Sequence, residues 1–361
     1  MPLRVAVTVE QCWHRVPGGS ARATLDTIAA LEARGEVEQI GVSAWHRQPA
    51  PAEWQPVIDV RALPLSRLAL YDAWQRLRRP VVERATGAVD VVHATAHVAS
   101  ASKAPMVATV HDLHFLHEPS HFTARGISVF SRFLAIVRDE AAVVVCPSQA
   151  TRADCVAAGI DAARVRVTPW GTAMEPVGET EVARVRAVYD LRRPFVLFAG
   201  TVEPRKNLAR LLEAYRRLGD VEAELVLVGP DGWGPDLPDE GVRRLGFVPA
   251  ADLHALYAAA AVVAYPSLRE GFGLPVLEAM AQGAVVVTSA TTATAEVAGV
   301  AALLVDPLDV DAIAGALQRA LADPDLATGL RTAARARSAT FTWSRTADSM
   351  AAAYAAAVGS A

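Results

Sequence analysis

The feature that most constrains the fold is an alternation of short apolar runs and longer amphipathic stretches, which occurs twice along the chain. Short runs that are apolar throughout are typical of parallel strands buried on both faces. In the first half they predict strands at 3–9, 37–43, 89–93, 106–110, 142–146 and 164–168. The stretches between them predict helices at 20–34, 66–86 and 148–158.

The alternation starts again in the second half. Apolar runs predict strands at 195–201, 224–229, 243–248, 261–266, 284–289 and 301–305. Helices are predicted at 207–218, 251–259, 275–282, 310–322, 324–339 and 344–358. The polar segment 169–194, with a predicted helix at 179–189, is interpreted as a linker. Two consecutive series predict an α/β chain of two doubly wound, Rossmann-like domains, with the ligand site in the cleft between them.

Composition excludes several classes of protein. The chain is 52% hydrophobic and 20% charged, which is typical of a globular protein, and its net charge of −4 does not favour a nucleic-acid partner. Its three cysteines, Cys12, Cys146 and Cys155, lack metal-ligand spacing and cannot all pair, which favours a cytoplasmic location. The longest apolar run, 255–265, is shorter than the roughly 18 residues that a membrane span needs. Peripheral contact with a membrane stays open.

Lysine is almost absent from this chain. Lysine and arginine together number 35, yet only Lys103 and Lys206 are lysines. A genome that favours arginine codons accounts for the arginines. It leaves open why a lysine remains at position 206, directly after Arg205.

The segment Gly200–Leu208 directly follows a predicted buried strand and opens a helix. Pro204 cannot continue the strand, so Arg205 and Lys206 are expected at its carboxyl end, close to a helix N-terminus. Two cations and the positive end of a helix form a site for an anion such as phosphate. The alternative is a solvated basic pair, although basic residues are disfavoured in the first turn of a helix.

The segment Glu270–Gly283 also follows a predicted strand. Gly271 and Gly273 allow the backbone to approach a ligand closely, and their amides point toward a helix that starts near Pro275. Glu278 lies about one turn into that helix, where a carboxylate can accept hydrogen bonds from two vicinal hydroxyls of a ribose. The alternative is two ordinary acids, one in a turn and one placed favourably for the helix dipole.

Three segments, Gly200–Leu208, Gly246–Pro249 and Arg269–Gly283, resemble the retaining glycosyltransferases of family 4, which have the GT-B fold. The resemblance extends over nearly the whole chain and implies a role for each matching residue. Arg205 and Lys206 would neutralise the donor diphosphate, Glu270 would lie near the transferred sugar, and Glu278 would bind the ribose. The remaining donor-binding residues that it implies are Gly18, Gly19, Gly200, Thr201, Val248, Gly271, Phe272, Gly273 and Leu274.

Histidines supply a further candidate group in the first half. His111 closes a predicted strand, and the resemblance implies that it faces the reacting sugar, where it donates a hydrogen bond to a hydroxyl or positions the acceptor. The alternative is a capping or buried histidine. His114, His117 and His121 have spacings that would suit a metal on one helix face, but Glu118-Pro119 breaks a helix there, so no metal site is predicted.

The resemblance predicts a retaining transfer of a hexose from a nucleotide-diphosphate sugar, without a cofactor or metal ion. GDP-mannose is one candidate donor, and the acceptor is a hydroxyl of a glycan, a lipid-linked sugar or a small molecule. The predicted domains are residues 1–172, which bind the acceptor, and 173–342, which bind the donor, with a final helix at 343–361 returning to the first domain. The alternatives are a sugar epimerase or a non-catalytic protein that binds sugar nucleotides.

Overall fold

The computed structural model describes residues 2–14, 17–219, 221–234 and 241–360. The chain forms two compact units, which are described separately below. The first unit comprises residues 1–171 together with 342–361, and the second comprises residues 172–341. The chain therefore leaves the first unit, builds the second, and returns to the first for its last helix.

Strands and helices alternate along the described chain. The strands are β1 Leu3–Thr8, β2 Val37–Ala44, β3 Val60–Leu63, β4 Val91–Ala94, β5 Met106–Thr109, β6 Ala141–Cys146, β7 Val165–Val167, β8 Phe195–Ala199, β9 Glu224–Val228, β10 Val242–Gly246, β11 Val262–Tyr265, β12 Val286–Ser289 and β13 Leu303–Val305. The helices are α1 Gly18–Arg34, α2 Arg67–Leu77, α3 Glu83–Thr86, α4 His114–His117, α5 Ala124–Glu140, α6 Gln149–Ala157, α7 Glu179–Val188, α8 Leu208–Arg217, α9 Ala250–Ala259, α10 Leu274–Ala281, α11 Ala293–Ala298, α12 Val310–Ala322, α13 Pro324–Ser338 and α14 Trp343–Gly359.

The first unit is built on a parallel sheet in the order β3-β2-β1-β4-β5-β6-β7. Strand order reverses between β1 and β4, because the chain first adds β2 and β3 on one side of β1 and then continues on the other. One face of the sheet packs against α1 and α14, where Ile28, Met350 and Tyr354 are buried together. The opposite face packs around Trp74 of α2 and Phe133 of α5. Both faces are therefore covered, as the continuous apolar runs require.

The second unit contains a parallel sheet in the order β10-β9-β8-β11-β12-β13. Its strand order reverses between β8 and β11, which are neighbours in the middle of the sheet. Loops that leave two such strands diverge to opposite faces, and the crevice between them is the usual ligand site of an open α/β sheet. The two sequence motifs follow these two strands. The prediction of two doubly wound α/β sheets is thus confirmed.

The structure differs from the prediction in three places. The helix predicted at 66–86 is interrupted, because Arg78 adopts a left-handed conformation (φ 50°) and Pro80 follows it. The edge strand β3 was not predicted, since only one of its four residues is buried. The predicted linker contains α7, which instead packs on α9 within the second unit, where Tyr189 donates a hydrogen bond to Asp252 (2.6 Å).

Three further helices, the short α4 and the longer α5 and α11, were not predicted from the sequence. The α5 segment carries aromatic and β-branched residues, which have modest helix propensity, and it starts at Thr123, whose side chain accepts from the amide of Gly126. Across the described residues, no helix combines the length and apolar character needed to cross a membrane.

Candidate active site

The two cations lie on a tight turn at the carboxyl end of β8. Pro204 starts a single 3-10 turn, Pro204–Lys206, and Asn207 then adopts a left-handed conformation (φ 62°) that redirects the chain into α8. The Asn207 side-chain amide donates to the carbonyl oxygens of Pro266 (2.9 Å) and Pro307 (2.6 Å). This side chain therefore fastens the turn to the loops that follow β11 and β13.

Arg205 and Lys206 converge on one carboxylate. Arg205 Nη1 donates to Glu270 Oε2 and Lys206 Nζ donates to Glu270 Oε1, both over 2.7 Å. Arg205 Nη2 makes a second ion pair with Glu203 Oε1 at 2.9 Å. The two segments that meet here are also joined by their backbones, since the amide of Leu268 donates to the Arg205 carbonyl oxygen (2.8 Å). The site thus combines two cations with two carboxylates.

Burial makes these contacts strong. Lys206 is 6% exposed and the Glu270 side chain 9%. Burial alone would raise the pKa of Glu270, but Arg205 and Lys206 outweigh it and hold that pKa at about 2. Burial and the neighbouring Arg205 lower the pKa of Lys206, while Glu270 opposes this shift. At neutral pH Glu270 is therefore a carboxylate that depends on both cations.

A buried tyrosine, Tyr265, contacts the ammonium of Lys206. Lys206 Nζ donates to the hydroxyl of Tyr265, the last residue of β11, and lies 4.6 Å from the centroid of the same ring. The ring has no exposed surface and stacks on Phe198 of β8 with 5.6 Å between centroids. Tyr265 thus provides Lys206 with both a hydrogen-bond acceptor and the negative face of an aromatic ring.

The loop after β11 enters α10 through a glycine with a positive φ. Gly273 has a φ of 110°, and a Cβ at this position would lie 2.7 Å from Thr294 Cγ2. Both facts require glycine here, as the sequence predicts for a close backbone approach. Gly271 and Phe272, which precede α10, are buried, and Leu274, its first residue, is half-buried. The helix begins at Leu274, with Pro275 in its first turn.

Glu278 projects from the second turn of α10 and is half-buried. The hydroxyl of Tyr257, a fully buried residue of α9, lies 3.5 Å from Glu278 Oε2, which is a long hydrogen bond. Burial, with the neighbouring Glu278, raises the pKa of Tyr257 well above its ordinary value, so the hydroxyl stays protonated. Glu278 therefore accepts from Tyr257, and a carboxylate is a group that can accept several hydrogen bonds.

Other predicted residues of the second unit surround this edge of the sheet. Gly200 follows β8 directly, and its carbonyl oxygen would lie 2.2 Å from a Cβ at Gly229, so the ends of β8 and β9 approach closely. Thr201 is half-buried after Gly200. Val248 is buried between β10 and α9, beside the 78% exposed Phe247.

The structure places His111 in the first unit, just beyond β5. Its Nε2 lies 2.7 Å from the carbonyl oxygen of Thr95, so Nε2 carries the hydrogen and donates it there. Burial, reinforced by His97, lowers the pKa of His111 to about 4, so the ring is neutral. Its Nδ1 is buried and has no hydrogen-bond partner in the described residues. That His111 donates to a sugar hydroxyl or positions the acceptor stays a prediction; in this geometry its unpaired ring atom, Nδ1, is an acceptor.

The other predicted groups of the first unit are the glycines at the start of α1 and the histidine cluster. Gly18 and Gly19 are exposed at the start of α1. In the histidine cluster, His114 and His121 share a hydrogen bond of 3.0 Å, and His117 pairs with Asp154. Among described residues, no three histidine, cysteine or acidic side chains are close enough to hold a metal ion.

Three residues of this site were missed from the sequence. Glu203 gave no signal beyond its place in the cation segment. Tyr265 and Tyr257 lie in runs of apolar residues, where aromatic side chains are expected to form core. Only the tertiary structure reveals that their hydroxyls reach Lys206 and Glu278.

Comparison with known proteins relates these features first to a fold class and then to family profiles. Two Rossmann-like parallel sheets, with cations and acidic residues at the switch point of the second, are the architecture of the GT-B glycosyltransferases. The family profile "Glycosyltransferase Family 4" matches residues 17–175, and the profile "Glycosyl transferases group 1" matches residues 193–323. Each half of the chain thus matches a glycosyltransferase profile, and the two matches together span most of its length.

Relatives and solved structures agree with this assignment. The chain is 36% identical over 233 residues to the O-antigen chain mannosyltransferase B of Escherichia coli, a match that covers 60% of this chain and 61% of the relative. It is 34% identical over 219 residues to a D-inositol 3-phosphate glycosyltransferase of Kribbella flavida, covering 54% of this chain and 52% of the relative. The crystal structure of Anabaena HepE with UDP and glucose superposes with a TM-score of 0.75 at 18% identity, covering 97% of this chain and 98% of that chain.

Proposed function

We propose that this chain transfers a hexose from a nucleotide-diphosphate sugar to a hydroxyl acceptor, with retention of anomeric configuration and without a metal ion. The observation that carries the proposal is the convergence of Arg205 and Lys206 at the switch point of the second sheet. Cleavage of the anomeric C–O bond leaves negative charge on the diphosphate. Cations fixed in a poorly hydrated site stabilise that charge more in the transition state than before the bond breaks.

Each residue has a defined part in this mechanism. The planar guanidinium of Arg205 suits two diphosphate oxygens, and the compact ammonium of Lys206 suits one. Glu278 would accept from the ribose hydroxyls, and the amides at the start of α10 would face the sugar and phosphate. The His111 ring is neutral and its Nδ1 has no hydrogen-bond partner among the described residues, so Nδ1 would accept a hydrogen bond from a substrate hydroxyl. The leaving phosphate would take the proton of the attacking hydroxyl.

The comparisons suggest substrates to try first. A mannosyltransferase of O-antigen synthesis among the relatives supports GDP-mannose as donor and a glycan as acceptor. A structure that holds UDP and glucose makes a UDP-sugar the second donor to test. We expect the reaction in the cytoplasm, where nucleotide sugars are made.

The test begins with binding and ends with turnover. Thermal unfolding is followed with UDP, GDP, ADP and their hexose conjugates, because a bound ligand raises the melting temperature by mass action. The conjugate that binds is then incubated with glycan and lipid-linked acceptors, in buffer with and without EDTA. Release of nucleoside diphosphate with an α- or β-linkage unchanged from the donor supports the proposal. Binding without release under any of these conditions favours the non-catalytic alternative, and loss of turnover in EDTA contradicts independence from metal.

A further inference from the structure

The cation site is already occupied by an anion of the protein itself. Glu270 takes one hydrogen bond from Arg205 and one from Lys206, so both of its oxygens are engaged. Glu203 takes the other Nη of Arg205. Two positive and two negative side chains thus bond to one another, and their charges sum to zero. A site that only needed positive charge for a diphosphate would not require a buried carboxylate at its centre.

An incoming diphosphate cannot simply join this cluster. It carries at least two negative charges, and placing them beside a buried carboxylate on the same cations sets like charges close together in a medium of low polarity. Protonation does not remove the obstacle, because the pKa of Glu270 is held at about 2. Glu270 must therefore give up its contacts. Its position permits this, since it lies in the loop between β11 and α10 and is followed directly by Gly271.

We propose that Glu270 is the resident counter-anion of Arg205 and Lys206, that the donor diphosphate replaces it there, and that the released carboxylate accepts hydrogen bonds from the hexose hydroxyls. This inference rests on the proposed function and adds a consequence for specificity. With an intact sugar nucleotide, the Glu270 carboxylate loses its ion pairs but gains hydrogen bonds from the hexose hydroxyls. With a free nucleoside diphosphate, it loses the ion pairs and gains no hydrogen bond from a sugar. The exchange therefore favours the substrate over the product and promotes release of the nucleoside diphosphate after transfer.

The test measures binding of inorganic pyrophosphate, which has neither base nor sugar, by calorimetry at constant salt. In Glu270→Gln the competing charge is gone while size and shape are kept, so we expect pyrophosphate to bind about tenfold tighter, or roughly 1.4 kcal/mol. The nucleoside diphosphate that binds the wild type should show the same gain. The hexose conjugate should gain less, so the preference for substrate over product should fall.

Two further variants separate charge from structure. Glu270→Asp keeps the charge, so its pyrophosphate affinity should stay within about threefold of the wild type. Glu203→Gln removes the carboxylate that pairs with Arg205 Nη2, whereas Glu270 pairs with both cations, so this variant should tighten binding less than Glu270→Gln does. Thermal unfolding verifies that each variant is folded. If Glu270→Gln is misfolded, the pyrophosphate affinities of Glu270→Asp and Glu203→Gln are compared instead.

The outcomes are distinct. Tighter pyrophosphate binding by Glu270→Gln, with a smaller gain for the hexose conjugate, supports the exchange. Equal or weaker binding by Glu270→Gln, with clear binding by the wild type, means that Glu270 only holds the cations in place; it overturns the exchange and leaves the proposed function standing. Equal gains in Glu203→Gln and Glu270→Gln also overturn the assigned role of Glu270. If no protein binds pyrophosphate or any sugar nucleotide, the proposed function fails first.

Discussion

The substitution Lys206→Arg keeps the charge of the diphosphate site and changes only its shape. An account based on charge alone, or on the arginine-rich composition, predicts no effect. The structure predicts two. Lys206 is 6% exposed, and its ammonium is confined between the Tyr265 hydroxyl and Glu270 Oε1, over a ring whose centroid is 4.6 Å away. The wider guanidinium does not fit this space without displacing its neighbours.

The magnitude follows from this confinement. Enlarging a side chain in a well-packed interior costs about 1–3 kcal/mol in the free energy of unfolding. The second unit has 170 residues, and for that size 1 kcal/mol corresponds to about 2–4 °C, so the melting temperature should fall by about 2–12 °C. Pyrophosphate should bind about tenfold more weakly, or roughly 1.4 kcal/mol, because the displaced cation no longer aims at the same oxygen.

The chain supplies its own control for this experiment. Lys103 is the only other lysine and is exposed, so Lys103→Arg makes the same chemical change where space is not limited. Both variants are compared by thermal unfolding and by calorimetric titration with pyrophosphate. If Lys206→Arg matches Lys103→Arg in melting temperature and in affinity, the reasoning from confinement is refuted.

Three other predictions concern the two buried tyrosines and Glu278. In Tyr265→Phe the ammonium of Lys206 loses a hydrogen-bond acceptor, which lowers the Lys206 pKa further. Because pyrophosphate binding needs the charged form of Lys206, the affinity should fall at a lower pH than in the wild type. Titrations between pH 7 and 10 would show this shift, and an unchanged profile would contradict this role of Tyr265. Glu278→Gln should weaken binding of the nucleoside diphosphate by about tenfold, since a hydrogen bond to a charged group contributes about 1.5–3 kcal/mol, but leave pyrophosphate unaffected. Equal losses for both ligands would show that Glu278 acts on the phosphates. Tyr257→Phe, which removes the 3.5 Å contact to Glu278, should have a smaller effect on the nucleoside diphosphate than Glu278→Gln.

The amino-acid sequence was sufficient to predict the buried strands. It was insufficient for elements that are exposed to solvent and for contacts between residues far apart in the chain. Strands such as β8 and β11 are apolar throughout because both of their faces are covered, so their pattern is easy to read. Strand β3 lies at the edge of its sheet and is mostly exposed, so its residues carry no such pattern. The positions of both site motifs could be predicted because each directly follows a buried strand.

The internal chemistry of the site could not be predicted in the same way. Arg205 and Glu270 are 65 residues apart in the chain, and nothing local to either residue indicates that they form an ion pair. The sequence therefore assigned them separate ligands, a diphosphate and a sugar. The hydrogen-bonding state of His111 depends equally on a distant group, the carbonyl oxygen of Thr95, which directly follows the neighbouring strand β4. Such pairings arise from strand order, which apolar periodicity does not encode.

The return of the chain through α14 has a consequence for the order in which the protein is made. The first unit is synthesised first, but its core includes Met350 and Tyr354, and the Tyr354 hydroxyl lies 2.9 Å from His93 Nδ1 in the sheet. The 170 residues of the second unit must be translated in between, which takes about 9–34 s at typical rates. Throughout that time the apolar face around Ile28 lacks its covering helix. The half of the protein that leaves the ribosome first is therefore the last to be completed.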